Sequence, residues 1–312
     1  MKRSFLCTHS STRPFFREGK KTRNFSFLDA IHGYIYGRLI YLDISIGTGE
    51  HPLAKLLYPA VGVFNRLGKI VQKEKKTTFA DTYHDKVVTL GGVRQLVTVN
   101  IPVRILDLEQ VIPYTRARDI ILYNPDHIVV LDCPCRSARP NPCSPGDVCL
   151  VIGEPFAAFI LEHHLAKSRA ISQEEALEIL EAEHKRGHVH HAFFKEAALN
   201  RFYAICTCCS CCCGAIQAMK NRIPMLASSG FVAKVDEQKC VHSGLCTSHC
   251  QFEALYKDGK QVHFDEAKCL GCSVCGDICK KGARTMEAAP DRGVPLEIRK
   301  LIKRKGNINQ IL

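Results

Sequence analysis

Two cysteine strings near the C-terminus, Cys240-x5-Cys246-x3-Cys250 and Cys269-x2-Cys272-x2-Cys275-x3-Cys279, stand 29 residues apart in register. A cubane iron–sulfur cluster needs four thiolates converging on one small object. Three cysteines at two-residue spacing wrap one cluster, and the fourth, three residues on, reaches the other. The layout points to two neighbouring clusters, ahead of disulfides or zinc. Superposing the strings pairs Cys240 with Cys269, Cys246 with Cys275 and Cys250 with Cys279, but Ser243 with Cys272. Under crossed connectivity Cys269, Cys272, Cys275 and Cys250 form a complete 4Fe-4S site, whereas Cys240, Cys246 and Cys279 leave one corner without a thiolate. Three thiolates suit a 3Fe-4S cluster; a four-iron cluster there needs Ser243, solvent or another ligand, and both alternatives stay open.

A second constellation lies upstream. Cys133-x-Cys135-x7-Cys143-x5-Cys149 reads as four thiols on a loop made irregular by Pro134, Pro140, Pro142 and Pro145. Such a loop suits neither helix nor sheet and leaves its backbone free to wrap an ion or a cluster. Cys206, Cys208, Cys209, Cys211, Cys212 and Cys213 follow within eight positions, a density with no use in packing. Helical spacing would put Cys206, Cys209 and Cys213 on one side and Cys208 and Cys212 on another. These ten thiols suffice for one or two further iron–sulfur clusters; zinc also accepts four thiolates and stays open. Cys7, alone in a basic stretch, is read as non-functional. His184, His188, His190 and His191 gather near an expected helix end, with His163 and His164 upstream. They read as helix-end caps or solvated surface, with His188 and His190 the first to watch as metal or proton ligands.

The elements that position these residues are mixed. Val87 to Leu90 and Arg94 to Ile101, flanking Gly91-Gly92, read as a hairpin. Pro113 is expected to open a helix to about Tyr123, broken at Asn124-Pro125-Asp126. Ile128 to Leu131 forms a short apolar strand that delivers Cys133 and Cys135 at its end. Helices are expected from Pro155, from the capping box Ser172-x-x-Glu175 to Gly187, from about Ala192 to Tyr203, and from Gly214 to just before Pro224. Phe231 to Val235 and Ala283 to Met286 are outer strand candidates around an inner hairpin, Leu255 to Lys257 and Lys260 to Phe264, turned at Asp258-Gly259.

The 312 residues carry 18 cysteines and a formal charge of +12, which clusters with their negative thiolates reduce. The excess sits at the ends. Lys2, Arg3, Arg13, Arg17, Lys20, Lys21 and Arg23 face only Glu18 in the first 28 residues, and Arg299, Lys300, Lys303, Arg304 and Lys305 crowd the last 14. Solvated tails, or docking to an acidic redox partner, account for the charge better than nucleic acid does. Crowded cysteines without a secretory signal argue for a reducing, cytoplasmic setting. No transmembrane segment is expected; Leu56 to Asn65 is too short and carries Pro59. Gly47-x-Gly49 lacks the third glycine of a nucleotide loop, so no nucleotide cofactor is expected.

Residues 231–287 resemble bacterial dicluster ferredoxins, although Gln251 and Lys280 stand where proline normally follows the fourth cysteine. More widely, Cys133-Pro134-Cys135-Arg136, Cys149-Leu150 with Gly153, the 172–187 helix and the Cys206 to Gly214 run resemble, over about residues 105–287, a family of bacterial and archaeal iron–sulfur proteins. That family fuses such a cysteine-rich region to a C-terminal dicluster ferredoxin domain. The resemblance implies an iron–sulfur redox protein without supplying a substrate. The expected fold is α+β: a basic mobile extension over 1–28, a cysteine-rich α+β domain over 29–228, a ferredoxin-like dicluster module over 229–289 and a basic tail over 290–312. The expected function is electron transfer between the C-terminal clusters and the upstream thiolate site or a redox protein partner. A redox enzyme with substrate at an open-coordination iron, and a metal-handling or redox-sensing protein, are the alternatives.

Overall fold

The computed structural model describes residues 10–22, 26–54, 83–108, 111–112 and 118–304. Cys7, Leu56 to Asn65 and Pro113 lie outside them. The chain is α+β. Three helices, α1 (Thr12–Lys21), α2 (Phe27–Arg38) and α3 (Ile40–Gly47), precede β1 (Tyr83–Val88), α4 (Leu90–Val97), β2 (Val103–Ile105), β3 (Ile120–Asp132), the single turn α5 (Pro134–Ser137) and β4 (Asp147–Glu154). Next come α6 (Phe156–His163), β5 (Ser168–Ile171), α7 (Gln173–Lys185), β6 (Val189–Lys195), β7 (Arg201–Cys208), α8 (Gly214–Lys220) and β8 (Leu226–Ala227). These strands form one eight-stranded sheet in the order β2-β3-β4-β7-β6-β1-β8, with β5 beside β3. Every pairing in it is antiparallel except that of β1 with β8.

Side-chain alternation divides the sheet into two apolar faces. Val129, Leu131, Cys149 and Val151 belong to a core shared with Phe15, Tyr36, Ile40, Phe156 and Phe159. Ile128, Val130, Leu150 and Ile152 belong to the opposite core, with Val93, Leu96 and Val97 of α4 and Ala176 and Leu180 of α7. Because helices cover both faces, the central strands read as unbroken apolar runs, which hides their period of two.

Several expectations are corrected here. Gly91-Gly92 is no hairpin turn: α4 runs through it, started by Thr89, whose Oγ accepts from the Gly92 N–H at 3.3 Å. Gly92 is needed for close packing, since a Cβ there would lie 2.5 Å from Val88 and 3.1 Å from the Leu296 carbonyl. Ile120 to Tyr123 belongs to a strand rather than to a helix, and β3 continues past Asn124, which takes a left-handed φ of 47°. The segment 192–203 is the antiparallel pair β6 and β7, with Leu199 and Asn200 left-handed in the connection. Phe193 and Phe194 fill opposite cores, which a strand allows and a buried helical stripe does not. The start of the chain is not wholly a free extension either. α1 buries Phe15 against Phe156 and Phe159, and Glu18 pairs with Arg201 at 3.5 Å.

Beyond the sheet, β9 (Phe231–Val235) pairs antiparallel with β12 (Arg284–Ala288), and β10 (Leu255–Asp258) with β11 (Gln261–Phe264) through Gly259 at φ 55°. Two single helical turns, α9 (Leu245–Ser248) and α10 (Val274–Asp277), follow in the two repeats. A last helix, α11 (Ile298–Arg304), returns to the second core through Ile298 and Leu301, so the basic tail too is partly packed. Among the described residues no helix is long and apolar enough to cross a membrane.

Candidate metal centres

Strands carry three of the upstream cysteines and lead directly into others. β3 ends just before Cys133, α5 holds Cys135, and Cys149 lies within β4 opposite Leu131, so Cys149 is a strand residue and not a loop one. Cys206 and Cys208 lie two apart on β7, and Cys213 precedes α8. With 206–208 extended, the helical partition of the six-cysteine run does not hold. Cys133, Cys135, Cys149, Cys206, Cys208 and Cys213 instead form an inner array, buried except for the half-buried Cys135 and Cys206. Cys133 hydrogen-bonds with Cys135 and Cys149, Cys149 with Cys206, and Cys208 with Cys213. Hydrogen bonds from Cys135 and Cys149 hold the Cys133 thiol well below its ordinary value, and the bond from Cys208 does the same for Cys213. Their partners Cys135, Cys149 and Cys208 are pushed up. Thiols that share protons in this way are groups a metal ion deprotonates together.

His191, on β6, completes one end of this array: its ring nitrogen and the sulfurs of Cys208 and Cys213 lie within 4.8 Å of one another. Behind it stands Asp85 of β1, its Oδ2 3.7 Å from His191 Nδ1 and its carboxyl raised by burial. The array opens on a cavity of about 370 Å³ walled by Leu131, Val151, Ile160 and Phe193. Its polar lining includes Tyr36 and Tyr203, whose hydroxyls are 3.0 Å apart, and Asp43.

The remaining four upstream cysteines make a separate outer group. Cys143, Cys209, Cys211 and Cys212 bring their sulfurs within 4.8 Å of one another. Cys211 is exposed and Cys143 half-buried while Cys209 and Cys212 are buried, so this group reaches from solvent to the edge of the inner one.

In the C-terminal repeats, Cys250, Cys269, Cys272 and Cys275 line one small cavity of about 20 Å³ with Ala254, Phe264 and Met286. Burial, then the neighbouring Cys269 and Cys250, pushes the Cys275 thiol up to about 12. Gly271 keeps this loop tight at φ 71°, where a Cβ would lie 2.2 Å from the Phe231 carbonyl oxygen. The corresponding loop of the first repeat has His242 at φ 49° in place of Gly271, and Ser243 is exposed. His242 Nδ1 accepts from the Val262 N–H at 3.1 Å, and the ring lies with Glu237 and Cys240 in a third group of metal-capable atoms within 4.8 Å. Arg284 is buried beside Cys246, to which it hydrogen-bonds, and beside Cys279. Cys279 Sγ accepts the Ala283 N–H at 3.3 Å, and such backbone bonds outweigh burial to hold its thiol low.

Of the histidines, His163 and His164 do end α6 and are half-buried, but His184, His188, His190 and His191 are all buried and not solvated, the last two fully because β6 is an interior strand. His188 Nδ1 lies 2.6 Å from Glu183 Oε2, which also accepts from Arg136 Nη2 at 2.6 Å. Desolvation opposes ionisation of Glu183, but these two partners prevail and hold the carboxyl down at about 2. Asp85, Glu183 and Arg284 escape a sequence reading because tertiary pairing alone brings them to the cysteine regions, whereas His191 was among the four histidines read as caps or surface. The one local signal was Gln251 in a proline position. It accepts the Ser210 N–H at 2.7 Å and donates to the Gly187 carbonyl at 2.9 Å, joining the six-cysteine run to the residue after Cys250. The described groups could hold metal ions; comparison with family models, curated proteins and solved structures finds no match.

Proposed function

We propose that the chain is an iron–sulfur electron-transfer protein, passing electrons between clusters on its C-terminal cysteine strings and the upstream thiolate array or an external redox partner. The observation that carries this is the company of Cys250: it belongs to the first string, yet it lines one cavity with Cys269, Cys272 and Cys275 of the second. That exchange of the last cysteine is what a two-cluster arrangement requires. These four sulfurs are not among the groups gathered within 4.8 Å, which suits a polynuclear cluster better than a single ion. At the other site Arg284 Nη1 is buried without a hydrogen-bond partner among the described residues, and a cluster sulfide or thiolate would accept from it. Ser210 and Gln251 supply a hydrogen-bonded contact between the two cysteine regions.

Cys250→Ala, reconstituted with iron and sulfide under anaerobic conditions, tests the crossed assignment. The variant should lose the spectroscopic signal of the complete four-iron site although all four cysteines of the second string remain. Loss of the other signal would overturn it.

A second function, a redox enzyme, is favoured by the 370 Å³ cavity against the inner thiols, since an open metal position beside an apolar pocket can admit a small substrate. A spectral change of the upstream centre on adding a small molecule, with the C-terminal signals unmoved, would select it.

A further inference from the structure

The outer cysteines differ from the rest in how closely their sulfurs approach. Cys209 Sγ lies 3.6 Å from Cys143 Sγ, and Cys212 Sγ 3.7 Å from Cys211 Sγ. Cys143 and Cys211 are closer still, at 2.6 Å. A tetrahedral ion with metal–sulfur bonds of 2.3 Å sets its four sulfurs about 3.8 Å apart. A four-iron cube binds each thiolate at a different iron and spreads them several ångström further. Two of these spacings match the single ion, the Cys143–Cys211 contact would open by about an ångström on binding it, and with all four sulfurs within 4.8 Å of one another none reaches the spread of a cube.

The approach is built by more than the sulfurs. The Cys143 N–H points at Cys212 Sγ over 3.5 Å. Arg139, in the same loop, donates from Nε and Nη2 to the Cys212 carbonyl at 3.3 and 3.2 Å and from Nη2 to Gln217 Oε1 at 2.5 Å; it also pairs with Glu50. The proline-rich loop is thus held over the 209–213 turn from both sides. Cys209 and Cys212 also line the large cavity, so whatever joins the four sulfurs closes one wall of it.

We propose that Cys143, Cys209, Cys211 and Cys212 form a mononuclear tetrathiolate centre that takes one tetrahedral thiophilic divalent ion, zinc or iron, and fixes the 138–146 loop over the inner thiols. It refines the upstream part of the proposed function and rests on that reading of the thiols as metal ligands. It leaves Cys133, Cys135, Cys149, Cys206, Cys208 and Cys213, with His191, as the set for a cluster facing the cavity.

The test uses the full chain purified without oxygen, with iron, zinc and labile sulfide counted for the parent, Cys211→Ser and Cys143→Ser. Both variants should lose one equivalent of zinc or iron while labile sulfide and the cluster signals stay unchanged. If the ion is zinc, X-ray absorption of the parent at the zinc edge should show four sulfurs at about 2.3 Å and no neighbouring iron. If it is iron, Mössbauer spectra of the parent should show one high-spin tetrathiolate iron apart from the cluster irons. Zinc and iron outcomes both support the centre, and the edge tells them apart. Loss of several irons with matching sulfide would overturn it, as would a metal-free parent with a Cys143–Cys211 disulfide. Should either variant unfold, the zinc absorption or the Mössbauer measurement on the parent still decides. A parent that binds zinc at these four thiols but contains no iron or sulfide keeps the centre and defeats the electron-transfer proposal.

Discussion

At the scale of single residues, the buried polar groups set the frame on which the sulfurs are mounted. Glu183 joins Arg136, the residue after Cys135, to His188 and to Thr207 between Cys206 and Cys208. Removing one member of such a buried pair leaves the other charge uncompensated. Glu183→Gln should cost about 3–5 kcal/mol at neutral pH in chemical denaturation. The sign of its pH dependence follows from the shift. The folded carboxyl sits at about 2 against an ordinary 4.5, so its contribution is fully present above about 4.5 and is lost as pH falls through about 2. The stability gap between parent and variant should narrow across that window; a gap constant from pH 7 to pH 2 would show that the charge of Glu183 contributes nothing. At the first C-terminal loop, exposed Ser243 stands where the second repeat has Cys272. Ser243→Cys should convert a three-iron electron paramagnetic resonance signal into a four-iron one, and an unchanged signal would refute the assignment of Cys240, Cys246 and Cys279 to one site.

At the scale of elements, the strands nearest the C-terminal cysteines and the 128–131 stretch leading to Cys133 were legible, and the strands that carry Cys206 and Cys208 and pair with them were not. Asp258-Gly259 and alternating flanks announce β10 and β11, because a tight turn restricts its residues chemically. The 172–185 helix announces itself by Ser172, whose Oγ accepts the Glu175 N–H at 3.2 Å. The 189–208 strands carry no such marks. Both their faces are buried, so His190, Ala192 and Phe194 read no differently from their neighbours, and pairing with distant β1 and β4 decides their state. With that period went the grouping of the six-cysteine run, since a strand places Cys206 and Cys208 together where a helix would separate them. The first basic stretch was misleading for a related reason. Its charges lie on one side of α1, while Phe15 on the other is 2% exposed among aromatic rings. Phe15→Ala should destabilise the chain by about 3–5 kcal/mol, read as a lowered denaturation midpoint. An unchanged midpoint would mean that α1 is not part of the folded core.

At the scale of the whole molecule, the two cysteine regions share a contact surface. Val274, Leu270 and Cys272 pack on the first sheet core, His184 Nε2 meets Asp277 Oδ2 at 2.8 Å, and the Ser210 N–H donates to Gln251 Oε1 at 2.7 Å. The site predicted to hold a complete cluster therefore borders the sheet whose strands carry the inner thiols. That arrangement is suited to moving electrons within one chain, and it has meaning only if both C-terminal sites hold iron and sulfide. The most direct measurement is iron and acid-labile sulfide per chain, with Mössbauer spectra, on protein purified and reconstituted without oxygen. The account predicts at least the iron and sulfide of two C-terminal clusters, seven or eight irons by the content of the Ser243 site and roughly matched by sulfide, with any upstream centre adding to that count. A colourless protein that contains no labile sulfide and takes up no iron would contradict it.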